Sequence, residues 1–196
     1  METDDTRTRP EAECGHCRRG AYDFPLTMAF QPIVDIVRQE IFAYEALVRG
    51  PNGENAGSVI KAVTDEITEG EAVTDPAHLA RIVTAYRAMG FRTAIDDFGA
   101  GHSNLNLLAQ FRPDIIKLDM VLIRDIDRDK VRQSLVRHCV GLCDDLGILM
   151  VAEGIETLAE YQTLRGLGVK FIQGYLLAKP GWRRLPEAQF TDFTTV

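Results

Sequence analysis

The stretch AIDDFGAG, residues 94–101, sets two carboxylates side by side, Asp96 and Asp97, just before a glycine-rich turn. Adjacent residues of a strand point to opposite faces. The two acids therefore share one site only where the strand turns into a loop, and Phe98-Gly99-Ala100-Gly101 supplies that turn. Adjacent carboxylates repel unless a cation lies between them, and hard ions such as Mg²⁺ or Mn²⁺ are the natural partners of oxygen ligands. Taken alone, the pair reads as an exposed acidic turn. It has company, however: Lys117 near the end of DIIKLD, Glu153 after ILMVA, Gln173 after VKFI, and Glu45 and Arg49 in YEALVRG. A lysine at an apolar strand end either snorkels to the surface or stands beside developing negative charge. An arginine offers a fork that fits phosphate oxygens.

The elements that must position these groups are legible in the pattern. Residues 1–23 read as a polar, cysteine-containing tail, residues 24–190 as one patterned domain, and residues 191–196 as a C-terminal tail. MAFQPIVDI and IFAYEALVRG are two strands joined by a short polar turn around Arg38–Glu40. Beyond Pro76 the chain alternates: HLARIVTAYRAMG, SNLNLLAQF, DKVRQSLVRHCVGLCDDLG and TLAEYQTLRGLG have helical spacing, while FRTAIDD, PDIIKLD, ILMVAEGI and VKFIQGYLLAKP are strands. Strands apolar on both faces belong to a covered parallel sheet, and chemistry in such folds sits at the strand C-terminal ends. Asp96–Asp97, Lys117–Asp119, Glu153 and Gln173 all occupy such ends. A closed β/α barrel is the simplest arrangement that brings them together.

The chain has 196 residues, a formal net charge of -7 and 45% hydrophobic residues, which suits one globular domain with its own core. The acidic balance argues against a surface for polymeric nucleic acid. It leaves room for a small anion held by a metal, because a cation inverts the local field. The longest apolar runs, such as GILMVA at 147–152, fall far short of a membrane span, and METDDTRTRPEAE lacks the apolar core of a signal peptide. A cytoplasmic location is therefore expected. Cys14 and Cys17 in CGHC make only half a zinc site, and Cys139 and Cys143 lie on a helical pattern, so ordinary thiols are expected.

Taken in order, the motifs resemble the EAL domain family. AFQPIVD at 29–35 is similar to its opening strand and EALVR at 45–49 to the signature that names it. EITE at 66–69, DDFGAGHSNL at 96–105, DIIKLD at 114–119, VAEGIET at 151–157 and QGYLLAKP at 173–180 follow in the family's order. The resemblance implies a TIM-like (β/α) barrel that hydrolyses cyclic di-GMP to linear pGpG with two Mg²⁺ or Mn²⁺ ions. It implies Glu45, Glu66 and Asp96 as ligands of one metal, and Asp96, Asp97 and Glu153 as ligands of the second, with Glu153 also a candidate base. Lys117 would hold the attacking water, and Asp97 would complete the catalytic set. Gln31, Arg49 and Gln173 would contact substrate, and Glu69 would brace the DFGAGHSNL loop. Two metals on converging carboxylates suit this reaction, because an anionic diester must be attacked by an anion.

One departure from the family matters. Full β/α barrels take about 250 residues, about 200 at the low end, and the strand count here is one short of eight. Only GPNGENAGSVIKAVTD separates Arg49 from Glu66, where the family has a helix, a strand ending in an Asn ligand, and another helix. KAVTDEITEGE, residues 61–71, begins like a helix and ends like a strand running into a loop. We read it as a seam at which one β/α unit is missing. The expectation is an incomplete barrel with open edges, which a homodimer would cover, and reduced or absent activity. The alternative is an inactive module that binds cyclic di-GMP or a protein partner.

Overall fold

The structure is a computed structural model that describes residues 27–54, 76–100, 105, 108–109 and 112–190. Glu66, Glu69, the seam at 61–71, both tails, Cys14 and Cys17 lie outside the described residues.

The chain opens with a hairpin, β1 (Thr27–Asp35) and β2 (Glu40–Arg49). Asp35 starts the turn by accepting hydrogen bonds from the backbone N–H groups of Val37 and Arg38, at 2.9 and 3.0 Å, an arrangement that competes with further strand. The register sets Gln31 opposite Glu45 and Thr27 opposite Arg49.

After α1 (Pro76–Ala88) come the expected strands β3 (Ala94–Phe98), β4 (Ile115–Leu118), β5 (Leu149–Ala152) and β6 (Phe171–Ile172). They pair in parallel in that order. The connecting helices are α2 (Met120–Ile123), α3 (Lys130–Leu146) and α4 (Leu158–Gly166). Asp129 caps α3 by accepting from Val131 and Arg132, and Gly147 ends it at φ 66, the left-handed position that glycine fills without strain. Thr157 and Glu160 form a capping box at the start of α4.

The seven-stranded sheet runs β2-β1-β6-β5-β4-β3, and a short β7 (Gly181–Trp182) adds to β1. Its parallel part packs a continuous core of Ile95, Ile116, Leu118, Met150, Ala152 and Ile172 against Val136, Cys143, Tyr161 and Leu164 of the helices. The barrel is incomplete, as expected: among the described residues β2 and β3 each pair with a strand on one side only. Cys139 and Cys143 are free thiols, and burial pushes Cys143 up to about 11.

The last run departs from expectation. VKFIQGYLLAKP is not one strand. β6 ends at Ile172, the chain turns through Gly174–Leu177, and β7 returns antiparallel to β1. The cause is a close approach of two backbones: a Cβ on Gly174 would meet the backbone of Ile155, whose carbonyl accepts from Leu176 at 3.1 Å.

Candidate functional site

The two aspartates share a site by a different device from the one expected. In the β3–β4 ladder Ile95 faces Ile116 and Phe98 faces Leu118, so Asp96 and Asp97 together oppose Lys117. This is a β-bulge inside the strand, not a turn after it. Asp97 absorbs the extra residue at φ 51, a region that Asp enters more readily than most side chains. Bulges re-aim side chains, and here one carboxylate oxygen each from Asp96, Asp97 and Glu153 lie within 4.8 Å of one another.

Lys117 sits at the centre. Its Nζ lies 2.7 Å from Glu45 Oε1, 3.0 Å from Asp96 Oδ1 and 2.7 Å from Glu153 Oε1. Burial pulls the ammonium's pKa down, but hydrogen bonds to Glu153 and Glu45 outweigh it and hold the group charged, above its ordinary value. Glu153 moves the other way. Burial raises it to about 7, against the lowering effect of Lys117 and with help from Asp96 and Glu45. Asp97 is raised by burial, then by the neighbouring charges of Asp96 and Asp119.

A second layer stands behind Glu45. Gln173, the residue after β6, donates from Nε2 to Glu45 Oε2 at 2.6 Å and to Gln31 Oε1 at 3.0 Å. Gln31 in turn donates to the Ala178 carbonyl at 3.1 Å. The Gln173 Oε1 atom is buried and has no hydrogen-bond partner among the described residues.

Of the residues singled out from sequence, Gln31, Glu45, Asp96, Asp97, Lys117, Glu153 and Gln173 thus converge. Gln31, expected at the substrate, is buried with its amide committed to Ala178 and Gln173. Arg49 stays apart. It lies four residues along β2 from Glu45, about 13 Å at the usual strand rise, and donates to the Val48 carbonyl at 2.8 Å. Asp119, one of the strand-end residues expected near the site, has no individual role assigned from sequence. Its side chain caps α2 by accepting from Val121 N and hydrogen-bonds the Asp97 side chain. The signal was the Lys-x-Asp spacing, because residues two apart on a strand share a face.

Glu45, Asp96 and Glu153 crowd one ammonium with Asp97 beside them, and Asp97 and Glu153 have raised pKa values. An all-oxygen set of this kind fits a hard divalent cation. The side chains that would hold it are those of Asp96, Asp97 and Glu153, with Glu45 adjoining through Lys117.

The comparisons with known proteins agree with this geometry. The EAL domain family matches residues 55–180. The chain belongs to the EAL domain family. It is 38% identical over 115 residues to the cyclic di-GMP phosphodiesterase PdeR of Escherichia coli, a match covering 59% of this chain and 17% of PdeR. The chain thus spans about a sixth of that relative's length. Among solved EAL structures, a standalone EAL protein of Vibrio cholerae bound to c-di-GMP superposes with a TM-score of 0.82 at 38% identity, over 89% of this chain and all of that one. Klebsiella pneumoniae BlrP1, in a complex with manganese and the same dinucleotide, gives 0.78 at 29%, over 84% and 58%. The EALVR motif itself precedes the matched span, so it is the β1–β2 pairing, docked on β6, that delivers Glu45 to the EAL site. No helix among the described residues is long and apolar enough to cross a membrane.

Proposed function

We propose that this EAL domain hydrolyses cyclic di-GMP to linear pGpG with Mg²⁺ or Mn²⁺ as cofactor. The observation that carries the reading is the convergence of Glu45, Asp96 and Glu153 on Lys117, with Asp97 grouped beside Asp96 and Glu153. Bound divalent ions would supply charge neutralisation of the diester and activation of water. The side chains then have distinct tasks. Asp96, Asp97, Glu153 and Glu45 hold the cations, with Glu66 proposed beside them from the family resemblance and Glu69 as the brace of the 98–105 loop. Glu153 is also the candidate base. It accepts the proton of the attacking water as the new phosphorus–oxygen bond forms. The bond to the ribose 3′ oxygen breaks, and that oxygen takes a proton from solvent water. Lys117 holds the water and keeps the carboxylates converged. Arg49 and Gln173 contact the substrate. The domain occupies 24–190, acts in the cytoplasm and pairs as a homodimer in this reading.

The short connection between Arg49 and Glu66 favours a second reading, a binding module without activity. Purified protein with cyclic di-GMP and Mg²⁺ or Mn²⁺, followed by chromatography, separates the two. Accumulation of pGpG that disappears in Asp97→Asn supports the enzyme. No product from either protein sinks it, and calorimetric titration of the dinucleotide in Ca²⁺ then tells a binder from an inert fold.

A further inference from the structure

The Gln31–Gln173–Glu45 chain has a feature that contact with substrate does not explain. Both amide protons of Gln173 point at acceptors, Gln31 Oε1 at 3.0 Å and Glu45 Oε2 at 2.6 Å. Turning the amide over would set its oxygen against those two oxygens, so its orientation is fixed. The consequence is visible: Gln173 Oε1 is buried without a partner among the described residues, a state that folded proteins seldom tolerate without a reason. Gln31 is what makes the orientation one-sided. Its own amide is locked by donation to the Ala178 carbonyl at 3.1 Å, which leaves its oxygen, not its nitrogen, facing Gln173.

Glu45 needs such a guide. It lies on β2, which among the described residues pairs only with β1, and its side chain is one-quarter exposed. Lys117 grips Oε1 but divides its three protons among Glu45, Asp96 and Glu153. The Gln173 N–H on the other oxygen is the contact that selects one carboxylate rotamer.

We propose that Gln31 is a positioning residue: acting through Gln173, it sets the orientation of Glu45 and so the affinity of the acidic centre for a divalent cation. The inference rests on the reading of Glu45 as a metal ligand. Partners that orient a ligating side chain characteristically change metal affinity about 10- to 100-fold when removed.

The test is Mn²⁺ titration of the metal-free protein by calorimetry, with no substrate present. Gln31→Leu is expected to weaken binding about tenfold or more, and Gln173→Leu at least as much. The double variant should bind no more weakly than Gln173→Leu alone, because Gln31 acts through it; a purely structural contribution would add instead. Tyr44→Phe removes a hairpin hydrogen bond of similar length, from the hydroxyl to the Pro186 carbonyl at 3.1 Å, and should leave Mn²⁺ affinity unchanged. If Gln31→Leu fails to fold by circular dichroism, Gln31→Met replaces it, keeping the length of the side chain but offering Gln173 no oxygen acceptor, with the same loss of affinity expected. Unchanged affinity in the Gln31 variant, or full additivity with Gln173→Leu, overturns the proposal while Glu45→Gln still loses metal. Unchanged affinity in Glu45→Gln overturns both the metal role of Glu45 and the relay.

Discussion

Glu153 is held in a state that the fold tolerates at a cost, and the cost can be measured. Its carboxyl stands at about 7 instead of 4.5, chiefly through burial, with Lys117 opposing and Asp96 and Glu45 adding. Between those two values the folded protein keeps a proton that the unfolded chain has released. The unfolded state then binds fewer protons, so stability falls as pH rises through that window. At 1.36 kcal/mol per pH unit the gap amounts to about 3 kcal/mol, absent below pH 4.5 and fully present above about 7. Glu153→Gln keeps the shape and an acceptor for Lys117 but cannot ionise. In metal-free buffer the variant and the parent should be equally stable near pH 4.5, and the variant more stable by about 3 kcal/mol at about pH 8. Urea denaturation with a chelator, followed by the fluorescence of Trp182, the single tryptophan, reads the difference. Mn²⁺ should close it by stabilising the parent, while the variant loses phosphodiesterase activity. A stability difference independent of pH, or one that grows towards acid, refutes the reasoning.

Three further outcomes follow from local geometry. Asp97→Ala should be less stable than Asp97→Asn by about 1 kcal/mol in denaturant melts, because both remove the charge but only Asn is at ease at φ 51. Gly174→Ala should destabilise by about 1–3 kcal/mol, since the added Cβ meets backbone atoms of Ile155 that cannot step aside. Glu160→Gln should cost about 1–3 kcal/mol at neutral pH. Its buried carboxylate accepts from the N–H groups of Asp125, Glu156 and Thr157, which outweigh burial and lower its pKa. That stabilisation is present above the ordinary glutamate pKa and lost as pH falls through the lowered folded value, so the two proteins should converge in acid.

The positions of the site residues were legible because they depend on strand ends, and strand ends follow from apolar runs. Lys117, Glu153 and Gln173 each sit one or two positions from such an end, where a local pattern fixes them. Glu45 was legible for a different reason: the hairpin register that opposes it to Gln31 follows from two runs and a short turn. The bulge at Asp96–Asp97 was not. A one-residue excess against β4 is a property of the pair of strands, and no periodicity within β3 reveals it. The same holds for β7 and the Gly174 turn, which answer to Ile155, a residue of another segment. Asp119 was visible in its spacing but needed the bulged Asp97 beside it to acquire a place in the site.

The seam bears on this site less than its place in the chain implies. Asp96, Asp97, Lys117, Glu153 and Gln173 come from β3, β4 and the residues just after β5 and β6, neighbours in one parallel ladder. Glu45 arrives from the opposite side, through β2 on β1 and β1 on β6. Among the described residues the acidic centre is therefore joined through β6, whereas the seam expected from the sequence falls between β2 and β3 in the chain. The convergence rests on the Lys117 ammonium, which ties Glu45 of β2 to Asp96 and Glu153 on the parallel side of the sheet. A buried cation with three partners is costly to break from any one of them, so Lys117 serves as the internal counter-ion that holds Glu45, Asp96 and Glu153 together.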